Sequence, residues 1–321
     1  MEEFSFIDSI RQPFYKQSSL IKGIGDDAAI LRNHSEDLVV SVDTFSEGIH
    51  FTRETMPLED IGYKALAANI SDLAAMGARP AFYLLSLAIP SNWEMEEIQR
   101  IVQGMKEIGD RFKMDLIGGD TVSSHSLVLS ITVMGYVNRG RACYRSTAEE
   151  NDVVFVTGTL GDSAKGLDLL LNPEQESEDR AYFEKRHQRP SPRANFAYEV
   201  AKLARVTLND ISDGIASEAN ELAEASSVNL EIFYENIPVH KALLKDEKKD
   251  KWILSGGEDF ELIGTVARKD WPIVQKVANQ TNVQVTEVGR ILSKSDKQGQ
   301  VWLNKNGVKT HLDKNGYNHF R

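Results

Sequence analysis

From Leu127 to Val137 the sequence alternates, with Leu127, Leu129, Ile131 and Val133 on one side of a two-residue period. That period over such a length makes a long strand buried on one face, which is stable only in a sheet covered by other elements. The neighbouring segments supply the sheet and its cover. Asp37 to Asp43 and Ala81 to Ile89 read as further strands, the first a buried one delivering Asp43 at its tip. Pro57 to Gly77 reads as an alanine-rich helix able to pack close to a neighbour, and Ile98, Ile101, Val102, Met105, Ile108 and Phe112 give a second helix at spacings of three and four. Leu116-Ile117 runs into Gly118-Gly119-Asp120-Thr121. The first half therefore mixes α and β.

Asn151-Asp152 opens a second unit, with a short strand at Val153 to Val156, a Gly158/Gly161 turn and a helix from Ser163 to Leu171 that Ser163 would cap. Pro173 to Asp179 reads as an exposed acidic loop, and Pro190 and Pro192 introduce a helix through Ala204. Asp210-Ile211-Ser212-Asp213-Gly214 precedes a helix to about Ser226, and Lys241 to Lys251 reads as a solvated face or loop. The 321 residues thus suit an α/β fold of two domains, 1–150 and 151–321.

Charge narrows the partners. Lys and Arg number 37 against 48 Asp and Glu, a net −11, which repels nucleic acid and anionic lipid unless cations intervene. Cys143 is the only cysteine, so no internal disulfide and no cysteine metal cage can form. Met1-Glu2-Glu3-Phe4 does not resemble a signal peptide, and no apolar run approaches the ~20 residues of a membrane span, so a cytoplasmic protein is expected.

No G-x-x-x-x-G-K-[ST] occurs, nor H-E-x-x-H, nor G-x-S-x-G. Gly23-Ile24-Gly25-Asp26-Asp27-Ala28 has the form of a dinucleotide fingerprint, but two carboxylates would stand where a pyrophosphate needs backbone N–H groups. What recurs is Asp beside Gly or Ser at the ends of apolar segments: Asp26-Asp27, Asp43, Ser71-Asp72, Gly118-Gly119-Asp120, Asp210 to Gly214, and Gly256-Gly257-Glu258-Asp259. One such carboxylate is ordinarily a cap or turn residue. Six together suit hard cations, which let an anionic nucleotide enter an acidic site. Metal-dependent phosphoryl chemistry without a P-loop is the expectation.

These segments, with Asp43-Thr44-Phe45-Ser46-Glu47-Gly48-Ile49-His50-Phe51, Asn69 to Ala78, Gly256 to Leu262 and the terminal Gly316-Tyr317-Asn318-His319-Phe320, resemble in order and over nearly the whole chain the motif set of the thiamine-monophosphate kinase family. That family belongs to the aminoimidazole ribonucleotide synthetase-like superfamily. The resemblance implies two α/β domains, the first pairing with a second subunit in a dimer barrel. It also implies direct in-line transfer of the ATP γ-phosphoryl to thiamine monophosphate, with several Mg²⁺ ions. By matching motif, Asp27, Ser41, Val42, Asp43, Asp72, Asp120, Asp210 and Asp213 would be metal ligands, with Asp72, Asp120 and Asp210 central to catalysis. Gly119, Asp120, Arg145 and Ser212 would contact ATP, and His50, Glu258 and Tyr317 the thiamine substrate. Val42 stands where some relatives carry a hydroxyl, so only its carbonyl could serve, and Asn318 replaces a common aspartate. The alternatives are another ATP-dependent synthetase of the superfamily, which would release free phosphate, and a non-catalytic nucleotide-binding regulator.

Overall fold

The structure is a computed structural model describing residues 14–22, 30–31, 35–295 and 299–316. It divides into two units, 1–73 with 78–140, and 74–77 with 141–321.

The first unit is built on a four-stranded sheet in the order β3-β6-β4-β5, with β3 Asp37–Ser46, β4 Arg79–Pro90, β5 Asp115–Ser124 and β6 Val128–Val137. Strand β6 runs antiparallel to both neighbours, and β4 and β5 are parallel. A short pair, β1 Leu20–Lys22 and β2 Ile30–Leu31, lies outside this sheet. Helices α1 Leu58–Ala75 and α2 Met95–Phe112 cross at two glycines. A Cβ on Gly62 would lie 1.8 Å from the Ile101 carbonyl oxygen, and one on Gly104 would lie 1.7 Å from that of Glu59. The two backbones touch only because no side chain intervenes. Behind them Tyr83, Leu85, Ile131 and Val133 are buried.

The second unit carries a seven-stranded sheet in the order β13-β12-β9-β11-β7-β10-β8. Its strands are β7 Val153–Thr157, β8 Thr207–Ile211, β9 Val228–Phe233, β10 Glu261–Val266, β11 Val285–Lys294, β12 Val301–Lys305 and β13 Val308–His311. The helices are α3 Asp162–Leu171, α4 Arg180–Gln188, α5 Ala194–Val200, α6 Ile215–Ser226, α7 Lys249–Ser255 and α8 Trp271–Thr281. Val154, Val156, Ile211, Ile215, Leu222 and Ile263 belong to one continuous core. Among the described residues no helix is long and apolar enough to cross a membrane.

Four expectations need correction. Strand β3 is not buried, because Leu38, Val40 and Val42 are 50–58% exposed, and Asp43 lies within the strand rather than at its tip. Gly118-Gly119 does not end β5. A Cβ on Gly119 would meet the Leu85 carbonyl oxygen at 1.9 Å, so this glycine serves close approach to β4. Ser163 does not cap α3 with its side chain; the Asp259 carboxylate instead accepts the Gly161 and Ser163 N–H groups at 2.7 and 3.0 Å. The helix expected from Pro192 to Ala204 is only α5, and α4 before it was not anticipated, since its polar sequence has no clear apolar stripe.

Candidate active site

In the first unit, three candidate residues meet where β3 passes α1. The Ser41 hydroxyl donates to Asp72 Oδ2 at 2.5 Å. The Asp43 N–H donates to Asn69 Oδ1 at 3.1 Å, and Asn69 Nδ2 is fixed by the Ala65 carbonyl at 2.9 Å. Partial burial, and then the Asp72 carboxylate, push the Asp43 carboxyl up to about 6. Two like charges held together under partial burial are the electrostatic condition that a divalent cation relieves, and the donors here are all hard oxygens. His50 lies further along the same segment. Its Nδ1 accepts the Ser46 N–H at 3.1 Å, and its ring lies 4.9 Å from that of Phe45.

The register separates Asp120 from this group. Asp43, Ile131, Leu85 and Gly119 form one rung across the sheet, whereas Asp120 shares the next with Ser86, Ser130 and Thr44. Adjacent rungs point to opposite faces, so Asp120 stands with the exposed Thr44 and Ser86 while Asp43 faces α1. Three strand spacings, about 14 Å, also lie between β3 and β5. Among the described residues no three His, Cys, Asp or Glu side chains are grouped to hold a metal.

In the second unit the sequence-distant motifs converge. The Ser212 carbonyl accepts the Glu258 N–H at 2.7 Å, and the Ile211 carbonyl accepts that of Phe260 at 2.9 Å. A Cβ on Gly257 would lie 2.8 Å from the Ser212 oxygen, and one on Gly316 would lie 2.8 Å from the Asp213 oxygen. The Asp210–Gly214 loop, the segment carrying Glu258 and the start of the terminal motif are therefore in contact. Arg145 joins the same side through Asn209, whose Oδ1 accepts its Nε–H at 2.8 Å. Asp27 and Tyr317, with Asp26 and Asn318, lie outside the described residues.

Two family models match this chain, "AIR synthase related protein, N-terminal domain" over residues 25–137 and its C-terminal counterpart over residues 149–301. The thiamine-monophosphate kinase of Bacillus subtilis (strain 168) is 46% identical over 327 aligned positions that cover 100% of both chains. The chain belongs to the thiamine-monophosphate kinase family. The solved structure of thiamine-monophosphate kinase from Stenotrophomonas maltophilia K279a is similar with a TM-score of 0.85 at 35% identity, covering 96% of this chain and 97% of that one. Another, described as AaThiL complexed with AMPPCP and TMP, has a TM-score of 0.77 at 32% identity and covers 99% and 97%.

Within this thiamine-monophosphate kinase-family chain the fold gives the Glu258 motif a geometry that motif reading could not, and adds His187 and Glu218, which that reading passed over. Glu258 adopts φ 66° and Phe260 φ 49°, a left-handed backbone that side-chain-bearing residues adopt at a cost. Glu258 Oε2 lies 3.5 Å from Nδ1 of the buried His187, which also meets the Ser163 hydroxyl at 3.1 Å. Asp259 is buried, and burial followed by Asp162 pushes its carboxyl up to about 7. Burial, then Asp210 and Glu221, push the Glu218 carboxyl on α6 up, while the Asp213 N–H that it accepts favours its ionised form. Its signal in the sequence was faint: a carboxylate one turn into a helix usually reads as a first-turn charge.

Proposed function

We propose that this chain transfers the γ-phosphoryl group of ATP directly to the phosphate of thiamine monophosphate, giving thiamine diphosphate. The observation that carries the reading is the contact of the Asp210–Gly214 loop with the Glu258 segment and with Gly316, where the terminal motif begins. Carboxylates for a metal-bound nucleotide and groups for the second substrate thereby come from one cluster of loops. In the first unit Ser41, the Val42 carbonyl, Asp43 and Asp72 would hold Mg²⁺ and Asp120, on the other face of the sheet, would serve a separate ion; in the second Asp210 and Asp213 would do so, with Asp27 a further ligand. Bound Mg²⁺ supplies charge neutralisation of the phosphates and of the transition state.

The remaining chemistry belongs to the side chains. Gly119 and Asp120, Arg145 and Ser212 contact ATP, and the Arg145 guanidinium suits a phosphate because its planar fork donates two parallel hydrogen bonds. His50, Glu258 and Tyr317 bind the thiamine phosphate. Asp72, Asp120 and Asp210 are the carboxylates on which turnover depends. The acceptor is an ionised phosphate, so no general base is required, and positioning with charge neutralisation carries the rate.

Residues 1–150 serve ATP and metal binding and dimerisation, and 151–321 complete the nucleotide and substrate cleft. The partner is a second copy of this chain, because Leu38, Val40, Val42 and Val122 leave the sheet of the first unit with an exposed apolar face. The working compartment is the cytoplasm, with neither nucleic acid nor membrane as a partner.

The test incubates the protein with ATP, Mg²⁺ and thiamine monophosphate and resolves both thiamine species and phosphate. Thiamine diphosphate appearing in step with ADP, without free phosphate, is the expected result. Stoichiometric free phosphate would identify a synthetase instead, and bound ATP without turnover a regulator.

A further inference from the structure

Arg145 follows the first residues of the second unit, on a stretch outside any helix or strand, and its side chain is 52% exposed. A loop arginine of that exposure ordinarily samples many rotamers. Here it is held from one side by α6 and β8. Its carbonyl accepts the Ser226 hydroxyl at 2.7 Å, its Nη1 pairs with Glu221 at 2.9 Å, and its Nε–H donates to Asn209 Oδ1 at 2.8 Å. The Asn209 amide in turn donates through Nδ2 to Glu218 Oε2 at 2.8 Å. Glu218 Oε1 accepts the Asp213 N–H at 3.1 Å. Both Asn209 and Glu218 are buried.

Hydrogen-bonding capacity fixes the direction of every link. Arginine has only donors, so Asn209 must present its oxygen to Arg145 and its NH₂ to Glu218. Both Glu218 oxygens then face donors, and the carboxylate accepts at each end. We infer that Asn209 and Glu218 are positioning residues joining the nucleotide-binding Arg145 to the backbone of the metal-binding Asp213. An amide in the middle lets a buried carboxylate orient the Nε edge of the guanidinium at second hand, while Nη1 pairs directly with Glu221. The same carboxylate holds the loop of Asp210 and Asp213, so the positions of metal and nucleotide groups are set together. This relay rests on the reading of Arg145 as an ATP contact.

The relay can be broken and rebuilt. Glu218→Gln leaves an NH₂ facing either Asn209 Nδ2 or the Asp213 N–H, whichever way the amide turns, and Asn209→Asp sets two carboxylates against each other. The double variant Asn209→Asp with Glu218→Gln restores donor to acceptor at the Arg145, Glu218 and Asp213 links, losing only the long 3.4 Å contact of the Asn209 amide with Glu221. Binding of a non-hydrolysable ATP analogue with Mg²⁺, measured by calorimetry, should weaken about tenfold in each single variant and return to within about threefold of wild type in the double. KM for thiamine monophosphate should change less than about twofold. A double variant as weak as the singles, while Arg145→Ala also binds weakly, would overturn the relay and leave the Arg145 reading standing. Wild-type affinity in Arg145→Ala would overturn that reading and the relay with it. Should the variants fail to fold, the Arg145 Nε–H resonance of the wild-type protein decides: slow solvent exchange supports the link to Asn209, and exchange as fast as that of a free arginine overturns it.

Discussion

Replacing Glu261 by glutamine tests the most heavily constrained group near the candidate substrate site. Glu261 is fully buried. Its Oε1 accepts from Arg186 Nη2 at 2.8 Å and from Arg193 Nη2, and its Oε2 accepts from Arg193 Nε and from the Thr157 hydroxyl, each at 2.6 Å. Burial pushes the carboxyl up, yet Arg193 and then Arg186 outweigh it and hold the group below the usual carboxylate range. Glutamine keeps the shape and loses the charge. Whichever way its amide turns, the NH₂ meets at least one guanidinium donor, and two guanidiniums only 14% and 18% exposed lose their shared counter-charge. Removing one partner of a buried ion pair costs about 3–5 kcal/mol. At about 2–4 °C per kcal/mol for a unit of this size, the melting temperature should fall by roughly 6–20 °C. Calorimetry at neutral pH is the assay, with Glu287→Gln, whose Arg268 pair lies on the surface, as the control expected to shift little. Because Glu261 anchors the chain just beyond the left-handed Glu258 and Phe260, KM for thiamine monophosphate should rise in the same variant. A fall of less than about 2 °C would refute the argument, since the clamp would then contribute no more than a surface pair.

Other outcomes follow from the same geometry. Asp72→Asn should raise the Mg²⁺ concentration needed for half-maximal rate at least about tenfold, since the amide keeps the Ser41 contact but loses the charge; an unchanged Mg²⁺ titration would remove Asp72 from the metal set. Val40→Glu, on the exposed face of the first unit, should convert a dimer into a 35.9 kDa monomer by light scattering, and a variant that stays dimeric would place the interface elsewhere. Asp259, raised from 3.8 to about 7, binds its proton more tightly when folded, so its contribution to stability falls as pH climbs from about 4 to about 7. The melting-temperature gap between wild type and Asp259→Asn should therefore narrow across that range, and a widening gap would reverse the sign.

Much of the fold was legible because periodicity reports burial directly. The stripe from Ile98 to Phe112 became α2 with all six named residues buried, and the alternation ending at Val137 became β6. The same method overcalled β3, where Leu38, Val40 and Val42 read as core and stand exposed, since an apolar run cannot say which of its faces another element covers. It also missed α4, whose buried Phe183 and His187 are too few to set a period. In the candidate site, the recurrence of carboxylates beside glycine or serine at segment ends drew attention to these stretches, and the roles of Asp43, Asp72, Asp210, Asp213 and Glu258 came from the family resemblance of their motifs.

By itself the sequence determined which residue types were available: hard-oxygen donors in six segments, no P-loop, and a net charge that demands cations beside any nucleotide. Only the tertiary structure decided their grouping. Ser41, Asp43 and Asp72 meet across β3 and α1, whereas Asp120 turns to the opposite face of the same sheet through an offset of a single rung. Asn209 and Glu218 gain their roles solely from the donors placed around them. Spacing along a chain fixes local geometry, but strand register and the direction of a hydrogen bond depend on partners distant in sequence, and these are set when the core packs.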